Sequence, residues 1–94
     1  MAAYVVAIKR KTRNQAELDL YRAAASKAVT PEQRPLVVYG DFEVLEGFPH
    51  EGMVILEFPT IEDARAWYES EAYQRAKEHR LNGADYDITL IEGH

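Results

Sequence analysis

Two stretches of the chain, Ala3–Ile8 and Met53–Phe58, are apolar at nearly every position, with Glu57 the single exception in the second. Unbroken runs of strong β-formers predict strands covered on both faces. A third stretch, Asp85–Ile91, alternates: Tyr86, Ile88 and Leu90 fall on one side, Asp85, Asp87, Thr89 and Ile91 on the other. Strict alternation predicts a strand with one buried face. Between these, the apolar residues change to helical spacing. Leu18, Tyr21, Ala24, Ala25 and Ala28 form one stripe, and Ile61, Ala64 and Tyr68, with Trp67 at its edge, form another.

Punctuation residues bound the elements. Thr12 or Asn14 supplies a cap for the first helix, with Gln15 or Glu17 three residues on, and Pro31 and Pro35 end it. Leu36–Tyr39 reads as the second strand, continued after a bend at Gly40-Asp41 by Phe42–Leu45. Glu46–Gly52 holds two glycines and a proline, which is turn chemistry. Pro59 stops the third strand, Thr60 caps the second helix, and Ser70-Glu71 marks a fresh cap that breaks that helix. Asn82-Gly83 predicts a left-handed helix end.

The order is therefore β-α-β-β-α-β over residues 1–94, one α+β domain with the ferredoxin-like split βαβ arrangement: a four-stranded antiparallel sheet with two helices on one face. That topology centres the first and third strands, which are the two continuously apolar ones. Two helices cover one sheet face only. The second apolar face needs a cover, and the same face of another copy supplies one with two-fold symmetry, so a homodimer through the sheet face is expected.

Composition narrows the partners. With 94 residues, a single core buries only about 60–65% of the unfolded surface, to which a dimer contact would add. Eleven Lys and Arg against 16 Asp and Glu give a net charge of −5, which argues against a nucleic-acid surface. No apolar run reaches the roughly 18 residues of a membrane span, and the N-terminus reads as a strand rather than a signal peptide. The absence of cysteine excludes disulfides and thiol chemistry and fits a reducing cytoplasm. His50, His79 and His94 show no ligand spacing, so no metal is expected, and without a glycine-rich phosphate loop or nucleotide fingerprint no other cofactor is expected either.

The candidate chemistry is aromatic and acidic. Six tyrosines and Trp67 are available to line a small-molecule cleft between helices and sheet, or to fill the core with their polar tips at the surface. Arg80 closes the last helix, placed to grip an anion or to neutralise the helix end. His79 beside it is a candidate general base or a solvated histidine. Glu57 interrupts a buried strand, where an unpaired carboxylate would hold its proton, unless it meets Arg65, Arg80 or water. Lys9-Arg10-Lys11-Thr12-Arg13 is the one basic cluster, an anion site or a charge-blunted strand end.

Several of these residues resemble a known family. Val44-Leu45-Glu46-Gly47, Val54–Thr60, the block Ala64–Gln74 with its Trp-Tyr-x-Ser-x-x-Tyr, and Arg80 are similar to the family catalogued as domain of unknown function 1330. The chain departs from that pattern at Arg34-Pro35, where Gly-Gly is frequent, and at the basic cluster before the first helix. The resemblance implies a subunit of the dimeric α+β barrel superfamily, with sheets packed face to face. It implies no established activity; relatives in the superfamily include cofactor-free monooxygenases, lactone isomerases and haem enzymes.

Two functions follow as expectations. The first is a cofactor-independent enzyme or binder for a small anionic or aromatic metabolite, with Trp67, Tyr68, Tyr21 and Tyr4 shaping the cleft, Arg80 holding the anion, and His79 or Glu57 moving a proton. The second is a non-catalytic dimer in which those residues serve as core and caps.

Overall fold

The two continuously apolar stretches lie side by side at the centre of the sheet. The structure, a computed structural model, describes residues 1–94 as β1 (Ala3–Thr12), α1 (Gln15–Ala25), β2 (Arg34–Val38), β3 (Gly52–Phe58), α2 (Ile61–Glu69), α3 (Glu71–Gly83) and β4 (Ala84–Glu92). The four strands form one antiparallel sheet in the order β2-β3-β1-β4. This is the expected ferredoxin-like arrangement, with the second helix divided in two at Ser70.

Register decides which residues meet. Val5 pairs with Leu56 and Leu90, and Ala7 with Val54 and Ile88. Because side chains alternate along a strand, these residues share the face that the helices cover. Val5, Leu56 and Phe58 pack there with Ala64, Trp67 and Tyr73 as the core. The opposite face carries Tyr4, Val6, Ile8, Met53 and Ile55, all half-buried, and Ile91, which is 54% exposed.

The caps explain the helix boundaries. The Asn14 side chain accepts the Glu17 N–H at 3.2 Å, and Thr60 Oγ1 accepts the Asp63 N–H at 3.1 Å. Ser70 works in both directions: its hydroxyl donates to the Trp67 carbonyl at 2.7 Å and accepts the Tyr73 N–H at 3.2 Å. One residue thus closes α2 and opens α3.

Three local expectations are corrected. α1 ends at Ala25, before the prolines; Ala28 lies in the following turn and is nevertheless buried. β2 starts at Arg34 and takes in Pro35, which an edge strand tolerates, with a register shift between Pro35 and Val37. It ends at Val38, because Tyr39 adopts a left-handed backbone with φ 51° and turns the chain away. Phe42–Leu45 is therefore loop rather than strand; Phe42 stacks on His50 with ring centres 4.5 Å apart, and Leu45 is 82% exposed. Finally, Gly83 is not a left-handed cap. It allows close approach: a Cβ there would stand 2.7 Å from Leu18 Cδ2, and its carbonyl accepts the N–H groups of Arg13 and Asn14 at 2.8 and 3.0 Å.

Candidate functional site

Small residues on both layers open a cleft between α1 and the sheet. Ala7 on the floor lies between Val54 and Ile88, and Ala25 faces it from the roof beside Leu18 and Tyr21. Trp67 and Tyr73 close the inner end. The space measures about 390 Å³ and is mainly apolar, a size and lining suited to a small organic molecule. Exposed Val29 and Val38 mark its mouth.

Tyrosine hydroxyls are prominent among the polar groups of the cleft, which also include Lys9, Arg22 and Gln33. Tyr21 and Tyr73 meet edge to face, with hydroxyls 3.0 Å apart. The hydroxyls of Tyr39 and Tyr86 form a second bonded pair. In each pair one O–H donates to the other oxygen, so the second O–H has no protein acceptor. The cleft therefore offers two phenolic donors. Burial, followed by the neighbouring phenols, pushes Tyr21 and Tyr86 far above the ordinary tyrosine range, while Arg80 acts weakly in the opposite direction. Both hydroxyls stay protonated and remain donors at neutral pH.

Arg80 is 4% exposed and enters none of the ion pairs. Its Nε is buried without a partner, and the guanidinium faces the Tyr86 ring at 5.6 Å from the centroid. A buried guanidinium without a counter-charge is costly, and the π-face of Tyr86 offsets only part of that cost. Arg80 thus lies behind a cleft wall rather than in it. Gln33 also lines the cleft, and its amide oxygen is buried with no donor.

The structure brings Tyr21 and Trp67 together in the cleft, with Arg80 behind them. It does not bring Tyr4, Glu57 or His79 there. Tyr4 and Glu57 lie on the far face of the sheet, where the Tyr4 hydroxyl donates to Glu57 at 3.4 Å and Arg34 pairs with Glu57 at 3.5 Å. His79 Nδ1 meets Glu17 at 2.6 Å across the α1–α3 contact. Tyr68 lines a smaller neighbouring recess with Val5, Ile88 and Leu90, and Lys77 stands over its ring at 5.1 Å.

The basic cluster is largely spent on the protein's own acids. Arg10 pairs with Asp87 at 2.7 Å, and Arg13 with Asp85 at 3.0 Å as well as the carbonyls of Leu81 and Ala84. Lys9 differs from its neighbours in lining the cleft, with Nζ 5.0 Å from the centre of the Tyr39 ring. Tyr39 and Tyr86 are among the tyrosines that the sequence makes available for a cleft, and Lys9 belongs to the basic cluster, but sequence pattern did not bring the three together in one site. The inward alternation of Tyr86 with Ile88 and Leu90 was the one available signal. No three His, Cys, Asp or Glu side chains stand together as metal ligands, and no helix is long and apolar enough to cross a membrane.

The family described as Domain of unknown function (DUF1330) matches residues 2–94, and the chain belongs to that family. No functionally curated protein matches it. Among solved structures, a protein of unknown function from Rhodopseudomonas palustris superposes with a TM-score of 0.75 at 14% identity, covering 99% of this chain and 82% of that one. A dimeric ferredoxin-like protein of unknown function from Thermobifida fusca has a TM-score of 0.69 at 17% identity, covering 99% and 92%. SnoaB from Streptomyces nogalater, a cofactor-independent oxygenase, has a TM-score of 0.60 at 8% identity, again covering 99% and 92%. At these identities the likeness establishes the shared fold.

Proposed function

We propose that this member of the DUF1330 family binds a small aromatic metabolite with an acidic oxygen in the cleft between α1 and the sheet, and transforms it without a cofactor. One observation carries the reading: an apolar cleft of about 390 Å³ presents two phenolic donors that have no protein acceptor, with the unpaired Arg80 cation behind them. Each phenol pair leaves one O–H free to donate to a ligand oxygen, and the buried Arg80 Nε has no partner of its own. Trp67 and Tyr21 supply aromatic walls, and Arg80 biases the site toward negative charge through Tyr86. The description of SnoaB as a cofactor-independent oxygenase supports the idea that this fold acts on organic molecules unaided.

In this scheme Tyr21 and Tyr86 stay neutral and act as hydrogen-bond donors to the ligand oxygen, while His79 and Glu57 lie outside the cleft. The active form is a homodimer through the face bearing Val6, Ile8 and Ile55, and it works in the cytoplasm. The apolar character of that face and the dimeric Thermobifida fusca neighbour support the dimer. The same face also supports a second reading, a non-catalytic interaction dimer.

A thermal-shift screen against aromatic carboxylates, lactones, quinones and phosphorylated metabolites separates the two. A ligand present at about a hundred times its dissociation constant adds about 2.7 kcal/mol of stability. A hit lost on filling the cleft with Ala25→Phe supports the ligand site. Silence across the panel favours the interaction dimer.

A further inference from the structure

Lys9 stands at the place where a ligand's acidic oxygen would meet the phenols. In the sheet it pairs with Tyr86 on one side and Gly52 on the other, and the Tyr39 ring lies over Gly52 to reach the Tyr86 hydroxyl. The Tyr39–Tyr86 pair therefore bridges across Lys9, whose ammonium lies 5.0 Å from the Tyr39 centroid.

The ammonium is poorly satisfied by the protein. It makes no hydrogen bond, and its one ion-pair partner, Glu51, lies at the limiting distance of 4.0 Å. Glu51 is engaged elsewhere: both of its oxygens accept the Thr12 N–H at 3.1 Å, and one also takes the Thr12 hydroxyl. The Lys9 side chain is only 18% exposed, so most of its stem is held against the protein and the ammonium is fixed at this end of the cleft. Arg80 cannot take its place, because the guanidinium is held behind the Tyr86 ring. Arg22 also borders the cleft, but it is exposed at the solvent side, where screening weakens its pull.

Building on the reading of the cleft as a ligand site, we propose that Lys9 recognises the ligand's acidic oxygen at the Tyr39–Tyr86 end of the cleft. Arg80 is a positioning residue that acts through Tyr86. One partly shielded ammonium beside neutral phenols, without a guanidinium fork in the cleft, suits a monoanionic aromatic carboxylate better than a phosphate ester.

The test is calorimetric titration of 2-naphthoate and its neutral isostere 2-naphthamide into the wild-type protein and variants. The wild type should prefer the carboxylate by about tenfold or more, as a charge-assisted hydrogen bond implies. Lys9→Met should reduce that preference to within about twofold, with the carboxylate losing far more affinity than naphthamide, and Lys9→Arg should restore most of it. Arg22→Met should leave the preference intact. Arg80→Met should weaken both compounds alike, with their ratio preserved. A Lys9→Met protein that keeps the carboxylate preference, or an Arg80→Met protein that alone loses it, overturns the assignment. Failure of both compounds to bind the wild type overturns the ligand site itself, and this inference with it.

Discussion

The ring of Tyr39 lies directly on Gly52: a Cβ at that glycine would stand 2.6 Å from Tyr39 Cδ1. A residue with φ 51° and a glycine on the neighbouring strand are thus matched, and together they carry the Tyr39 hydroxyl across β3 and β1 to Tyr86. Gly52→Ala should push the ring away, break the hydroxyl pair and cost about 1–3 kcal/mol, the usual penalty of overpacking. Denaturant unfolding checks this. In a Tyr39→Ala background the same substitution should cost much less, because the collision is gone.

Tyr21 and Tyr86 make stability sensitive to alkali. Burial raises both above their unfolded value of about 10, so the folded protein keeps two protons that the unfolded chain releases above that pH. Their stabilising contribution is complete below about pH 10 and declines as pH rises beyond it. Two of the six tyrosines should therefore ionise only as the protein unfolds, visible as phenolate absorbance that appears together with loss of helical circular dichroism. Independent titration of all six before unfolding would contradict this.

Ser70 serves both ends of the helix break, so Ser70→Ala removes the Tyr73 cap and the bond to the Trp67 carbonyl together. The expected cost is about 1–2 kcal/mol, at the upper end for an N-cap. Trp67 and Tyr73 pack with ring centres 4.3 Å apart, so the loss should also appear in near-ultraviolet circular dichroism.

Val6 and Ile55 face each other on the half-buried outer face of the sheet. If that face pairs two copies, Ile55→Glu places a carboxylate in an apolar contact and should yield a monomer in sedimentation equilibrium, while the wild type remains a dimer. A dimer that survives Ile55→Glu would place the contact elsewhere.

The fold was legible because its determinants are local or periodic. The unbroken apolar runs of β1 and β3 marked central strands, and Ser70 announced the helix break through its capping chemistry. Where local pattern misled, a long-range contact decided. Phe42–Leu45 alternates like a strand, but Tyr39 leaves the sheet first, held over Gly52 thirteen residues away. Gly83 resembles a left-handed cap, yet its small size is required by Leu18 on another helix. The cleft was partly legible. Tyr21 and Trp67 appear in the helical stripes, whereas Lys9 becomes a cleft residue only through its pairing with Tyr86 and Gly52. No spacing along the chain encodes that pairing.

Trp67 is the only tryptophan, it is 6% exposed, and it lines the cleft, so it reports directly on occupancy. The most direct measurement is the indole N–H resonance of Trp67, followed by NMR while a compound that raises the melting temperature is titrated in. A ligand in the cleft should shift that resonance saturably, with the dissociation constant found by calorimetry, and the shift should vanish in Ala25→Phe. A stabilising compound that saturates while the Trp67 resonance stays in place would contradict the cleft as the binding site.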